Sequence, residues 1–208
     1  MKVLTFNGSP RLNGCTDRAL REVEKTLVEN GIEVERIEIG NIALRGCLSC
    51  NYCRTHGKCV FNDLVNETAP KFAEADGIVV GTPVYWAGAN GQALAFLDRL
   101  FYSVMGTVDT TMKVGAAVIS SRRAGSTSAF DEINKYFTMN SMPIVSSTYW
   151  NEVHGHTPEE VELDHEGLQT MRNLGNNMAF LIKAIQAQKA ATGVPIQDRT
   201  HLTSFFRQ

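Results

Sequence analysis

Apolar residues in this 208-residue chain follow two rhythms that take turns from one end to the other. Residues 1–6 (MKVLTF) are a short apolar run that breaks into the turn-forming stretch NGSPRLNG, which reads as a strand followed by a loop. From about residue 16 to 30, Ala19, Leu20, Val23 and Leu27 recur at helical spacing, and Gly31 supplies a stop. Residues 32–39 (IEVERIEI) alternate as a strand, with a slip of phase at Arg36 that predicts a bulge or an edge position. A helix is expected over residues 62–75, kinked or divided by Pro70. Residues 77–83 (GIVVGTP) are continuously apolar, as a strand buried on both faces is. The alternation continues with a helix at 91–104, a buried strand at 113–120, a helix at 128–140 and a fifth strand at 142–148 (MPIVSST). A long helix over about 164–191 aligns Leu168, Met171, Leu174, Met178, Leu181 and Ile185 on one face, and Gly193 and Pro195 end it.

Five strands separated by helices predict a parallel α/β sheet, and right-handed crossovers that cover both faces make it a three-layer sandwich. With no repeat, linker or low-complexity segment, residues 1–208 read as a single domain, with a cysteine-rich insertion at about 45–62. The net charge of −2 argues against nucleic acid or an anionic membrane as partner. No apolar run approaches the roughly 20 residues of a membrane span, and the first residues do not read as a signal peptide. A cytoplasmic location is expected. Thiols stay reduced there, so disulfides explain the five cysteines poorly.

In parallel sheets ligands sit beyond the carboxyl ends of the strands, so the residues that follow each strand are the informative ones. The first such loop, residues 7–16, offers the hydroxyls of Ser9 and Thr16, the charge of Arg11, a close-approach glycine at Gly14 and a helix N-terminus. Together they suit a phosphate monoester; the spacing matches neither a P-loop nor the three-glycine dinucleotide fingerprint. A polar turn with Thr16 as helix cap is the plainer alternative. The second loop, residues 82–91 (TPVYWAGANG), sets Tyr85 and Trp86 among glycines, which suits a flat π-system better than a core corner. In the third, residues 120–126 (SSRRAGS), Ser120, Ser121 and the backbone from Arg122 to Gly125 can bond a polar ring edge, although exposed arginines are commonly just solvated. A phosphate tail and a flat polar head describe FMN.

At these residues the chain resembles the NAD(P)H-dependent FMN reductases and multimeric flavodoxins, including the iron–sulfur flavoproteins. The matching pieces are GSPR and GCT in the first loop, TPVYW with ANG…FLDR in the second, SRRAG in the third, and STYWN at 147–151. The resemblance implies a flavodoxin-like fold with strand order 2-1-3-4-5, non-covalent FMN and a homodimer or homotetramer. It implies that the phosphate lies on Ser9, Arg11, Asn13, Gly14, Cys15 and Thr16. The isoalloxazine would lie against Pro83, Val84, Tyr85 and Trp86, with Ser121, Arg122, Ala124 and Gly125 at its other border. Cys15 departs from the Asn or Ser frequent in relatives, which favours a backbone contact there over a side-chain one.

The chemistry then belongs to the flavin, with no protein acid or base implied, and no separate domain for NAD(P)H is visible. The nicotinamide would stack on the flavin and leave before the acceptor enters. His154 and His156 either face the mouth of this site or sit in a polar loop.

Cys47, Cys50, Cys53 and Cys59 are spaced C-x2-C-x2-C-x5-C. Four thiolates are the usual ligands of a 4Fe–4S cluster, and iron–sulfur flavoproteins carry such a motif between strands two and three. Zinc also takes four thiolates, usually from two separated pairs. Cluster-free members of the family keep similar cysteines as small apolar or redox-active side chains. These three readings stay open.

Three functions follow. One is an oxidoreductase passing electrons from NAD(P)H through FMN to a quinone, flavin or azo acceptor. Another is an iron–sulfur flavoprotein relaying electrons between ferredoxin-like and terminal acceptors. The last is a flavodoxin-fold binding or regulatory module without turnover. Trp86, Tyr149, Trp150, Phe205 and Phe206 are the aromatics a partner subunit would cover.

Overall fold

Runs of Val, Ile, Leu and Ala fill both faces of the sheet in a computed structural model, which describes residues 1–201 and 203. In chain order the elements are β1 (Lys2–Asn7), α1 (Cys15–Glu29), β2 (Glu33–Glu38), α2 (Tyr52–His56), α3 (Leu64–Glu74) and β3 (Gly77–Tyr85). They continue with β4 (Gly88–Ala89), α4 (Gly91–Val104), β5 (Val114–Ser121), α5 (Ser126–Met139), β6 (Glu152–His154), α6 (Pro158–Leu163) and α7 (His165–Thr192). The parallel strands are ordered β2-β1-β3-β5-β6, and β4 folds back antiparallel on the end of β3. Counting parallel strands alone, this is the expected 2-1-3-4-5. Leu4, Phe6, Ile78, Val80, Ala117 and Ile119 point to one face, against α3, α4 and α5. Val3, Val79, Val114, Ala116 and Val118 point to the other, against α1 and α7. Each fully buried Val, Leu, Ile or Phe among them contributes roughly 1.5–3 kcal/mol, so the two clusters fix the frame on which the strand-end loops stand.

Arg36 marks an edge and no bulge. β2 pairs with β1 residue for residue, and Arg36 is drawn toward α1 by Asp17 and Glu24. Pro70 lies inside α3 without dividing it, and Asp63 caps the helix by accepting from the Val65 N–H.

The fifth strand departs from expectation. Residues 142–148 do not form it: only Ile144 bridges to Gly115, flanked by hydrogen bonds from Gly115 N to Pro143 O and from Val145 N to Gly115 O. The chain then leaves the sheet through Ser146–Trp150 and returns as β6 beside Ile119–Ser121. The reason is polar: the Ser147 hydroxyl bonds the Tyr149 carbonyl and Asn151 Oδ1 at 2.7 Å each, folding the segment on itself. Phe205 and Phe206 lie outside the described residues. Among the described residues no helix is long and apolar enough to cross a membrane.

Candidate functional site

The first strand-end loop is shaped by its own short polar contacts. Ser9 N–H donates to Asn7 Oδ1 (3.1 Å), Arg11 N–H donates to Ser9 Oγ (3.1 Å), and Gly14 N–H returns to the Arg11 carbonyl (3.2 Å). Ser9, Gly14 and Thr16 are buried, whereas the side chains of Arg11 and Asn13 stand in solvent, Asn13 accepting from Arg21 (3.1 Å). A Cβ at Gly14 would lie 3.1 Å from Arg11 Cβ and 3.7 Å from Ser9 Oγ, within the loop's concavity. Gly14 is the N-cap of α1, and no side chain accepts from the helix's first turn. By contrast α3, α4, α6 and α7 are capped by Asp63, Asn90, Thr157 and Asp164. The open N–H groups of α1, with its dipole, Ser9 and Arg11, therefore fit an anion such as a phosphate monoester. Thr16 turns inward to Ser120 Oγ (2.7 Å), so its hydroxyl holds the third loop. Burial pushes the Cys15 thiol up, against the lowering influence of Arg11, and its Sγ lies 3.5 Å from the Gly155 carbonyl.

The second loop is a tight hairpin. Val84 pairs with Ala89 and Tyr85 with Gly88, leaving Trp86 and Ala87 as a two-residue turn, both with positive φ (51° and 61°). Non-glycine residues rarely adopt this backbone, and here it throws the Trp86 ring fully into solvent beside a half-exposed Tyr85. Pro83 and Val84 are partly buried beneath them. The third loop abuts this turn: Gly125 has φ +91°, and a Cβ there would fall 2.7 Å from Ala87 Cα and 3.0 Å from Val84 Cγ1. Like α1, α5 starts on a glycine with no side-chain cap. Ser121 is buried at the sheet end, and Arg122 and Ala124 are exposed.

Thus the three loops meet at the carboxyl end of the sheet, through Thr16 on Ser120, Asn90 on Gly8 and Gly125 on the hairpin turn. What sequence reasoning missed is the residue that joins two of them. Asn90, buried, donates through Nδ2 to the Gly8 carbonyl (2.6 Å), donates its N–H to Thr82 Oγ1 (2.9 Å) and caps α4 through Gln92 N–H (2.9 Å). Its place in the ANG piece of the family resemblance, just before a helix, marks the position but not the bond it makes to Gly8. His154 stands next to the third loop, its Nδ1 3.2 Å from Ser121 Oγ and its Nε2 3.6 Å from Glu152 Oε1. His156 is kept in a polar loop, its N–H donating to Glu160 (2.6 Å).

Between β2 and α3 the four cysteines line a single small cavity of about 30 Å³, together with Phe61, Arg99 and Tyr102. Cys47 and Cys50 are exposed, and Cys53 and Cys59 half-buried. Ser49 and Asn51 both have positive φ, bending the chain between the first three cysteines so that each faces the cavity. The Cys59 end is anchored: Asn66 accepts from Cys59 N–H (2.8 Å) and donates to the carbonyls of Cys59 (3.0 Å) and Phe61 (2.9 Å). Among the described residues no three Cys, His, Asp or Glu side chains are drawn to metal-holding distance. The sulfurs share a cavity without closing on one point. The donor set, four cysteines around one space, fits a soft metal or cluster.

Chain comparison agrees with the geometry. A family model described as "NADPH-dependent FMN reductase" matches residues 1–157. An iron–sulfur flavoprotein of Methanocaldococcus jannaschii is 36% identical over 193 residues, covering 89% of this chain and 100% of that one. The iron–sulfur flavoprotein of Methanosarcina thermophila is 28% identical over 191 residues, covering 91% and 99%. Among solved structures, a flavodoxin from the domain Archaea superposes with a TM-score of 0.60 at 18% identity, covering 88% of this chain and 99% of that one, a likeness of fold. The crevice loops all lie within the matched span. This chain therefore belongs to the NADPH-dependent FMN reductase family, flavin-dependent oxidoreductases of flavodoxin-like fold.

Proposed function

We propose that this chain binds FMN in the three-loop crevice, binds a 4Fe–4S cluster at Cys47, Cys50, Cys53 and Cys59, and relays electrons between the two. The observation that carries the reading is α4, which joins both sites. Its cap, Asn90, holds the first loop, and Arg99, nine positions on and about 14 Å along the axis, lines the cysteine cavity. The names of the M. jannaschii and M. thermophila relatives support the same pairing.

In this reading Ser9, Arg11, Asn13, the open concavity at Gly14 and the N–H groups of Cys15 and Thr16 hold the phosphate. Pro83, Val84, Tyr85 and Trp86 form the wall for the ring, and Ser121, Arg122, Ala124 and Gly125 border its polar edge. FMN, when bound, supplies two-electron acceptance from a hydride donor such as NAD(P)H and release singly or in pairs. A 4Fe–4S cluster supplies one-electron transfer. Ser9, Ser121 and Asn90 are buried at the sheet end, whereas Trp86 and Tyr85 stand open to a nicotinamide, a small quinone-type acceptor or a redox protein.

The test is a visible spectrum of protein purified without oxygen, with iron and acid-labile sulfide measured on the same sample. A flavin spectrum over a broad cluster shoulder, with about four irons per chain, is expected. A two-banded flavin spectrum without iron would establish the second reading instead: a cluster-free reductase passing electrons from NAD(P)H to a small acceptor. That reading is favoured by cysteines that do not close to metal-holding distance.

A further inference from the structure

Arg99 is the largest fully buried side chain among the described residues, only 1% exposed. A guanidinium cannot shed its charge, so burying it demands a partner for each of its five N–H groups. All five are used. Nη1 donates to Asp63 Oδ2 (2.8 Å) and the Arg45 carbonyl (3.3 Å), and Nη2 donates to Asp63 Oδ1 (2.8 Å). The remaining two bonds, from Nη2 at 3.2 Å and Nε at 3.3 Å, both end on Cys59 Sγ. The Phe61 ring, 4.9 Å from Cζ, covers the guanidinium plane. A neutral thiol is a poor acceptor. Aiming two of five donors of a buried cation at one sulfur makes physical sense when that sulfur carries charge, as a metal-bound thiolate does.

We infer that Arg99 is a positioning residue for Cys59: clamped by Asp63, it fixes this sulfur as the rigid corner of the cluster site and raises the cluster's reduction potential through two N–H···S hydrogen bonds. The inference rests on the cluster reading above. Donors to cluster sulfurs stabilise the more negative, reduced state, so the potential rises. Because Asp63 neutralises the guanidinium, the sulfur feels the N–H dipoles more than a net charge. Lysine is then no substitute, since a point-charge ammonium cannot fork to Asp63 and Cys59 together.

The experiment compares wild type, R99K and R99Q. Each is assayed for iron and sulfide, then titrated under EPR for the cluster midpoint, with the FMN midpoint and thermal melting read alongside. Both variants are expected to lower the cluster's reduction equilibrium constant about tenfold, close to 59 mV for a one-electron couple, with the FMN midpoint unmoved. In protein labelled with 15N at the arginine guanidinium, pulsed EPR of the reduced cluster is expected to show a nitrogen coupling that persists in R45K and R54K, a readout that needs no change at position 99. Iron present with unchanged midpoints, or no arginine coupling, overturns the inference and leaves the cluster reading standing. Wild type without iron and sulfide removes both.

Discussion

The crevice at the sheet end and the cysteine segment beside it are built on opposite plans. At the sheet end the loops are stitched to one another by protein contacts alone: Asn90 ties the second loop to the first, Thr16 ties the first to Ser120, and Gly125 packs the third on the hairpin turn. Those contacts come from rigid strand ends and buried polar groups, so its shape is paid for by the fold. The cysteine segment is fixed at one end only. Cys59 is held by Asn66 and Arg99, whereas Cys47 and Cys50 lie exposed on a stretch with two left-handed residues. A preformed site keeps its shape without its ligand. A site anchored at one end would take its final geometry from whatever group closed it, coupling binding to local folding.

The sharpest way to break this contrast is to remove a cysteine. C53A is expected to abolish nearly all bound iron and sulfide while FMN content stays at the wild-type level, read from metal analysis and the flavin spectrum. Loss of both groups together would mean that the two sites are not independently organised. Next in size is Gly14→Val, which fills the first loop's concavity. Its flavin dissociation constant is expected to rise about tenfold or more, roughly 1.4 kcal/mol, with iron unchanged, measured by quenching of flavin fluorescence. Unaltered affinity would place the phosphate elsewhere.

Asn90→Ala removes a cap and the bond to Gly8. A stability loss of about 1 kcal/mol is expected in urea melts, together with a flavin affinity weakened several-fold. A stability loss with normal affinity would make Asn90 a helix cap and no organiser of the loop.

The smallest effect lies away from both regions, where α1 meets α7. Burial by itself would raise the pKa of Glu22. Hydrogen bonds from Arg172 (2.7 Å) and Arg18 (2.9 Å) outweigh it and leave the carboxyl below its ordinary value of 4.5. With the folded value depressed, this contribution is complete above the unfolded value near 4.5. It is lost as pH falls through the folded value. E22Q should therefore flatten the acid limb of the stability curve in urea melts, leaving FMN and iron content alone. An acid limb as steep as that of wild type would assign acid sensitivity to other carboxylates.

Local rhythm and the chemistry on offer are both readable along the chain. Ala19, Leu20, Val23 and Leu27 sit at helical spacing and are all buried on α1, and residues 91–104 form a helix with the predicted bounds. The three strand-end loops and the cysteine spacing were legible for the same reason: periodicity, turn residues and ligand spacing act over a few positions along the chain. Which distant groups meet depends on how the chain packs. Asn90 lies 82 positions from Gly8, Ser120 lies 104 from Thr16, and Arg99 lies 40 from Cys59. Asn90 and Arg99 both fall in the ANG…FLDR piece, but spacing along one helix does not say which distant atoms their side chains reach. The fifth strand lies beyond the segment whose propensity predicts it, for a related reason. Residues 142–148 carry strand-like propensity, yet Ser147 and Asn151 fold the chain off the sheet edge, and β5 had its last residues left to pair with Glu152–His154. Propensity is local, but an edge strand forms where its neighbour has free backbone groups to share.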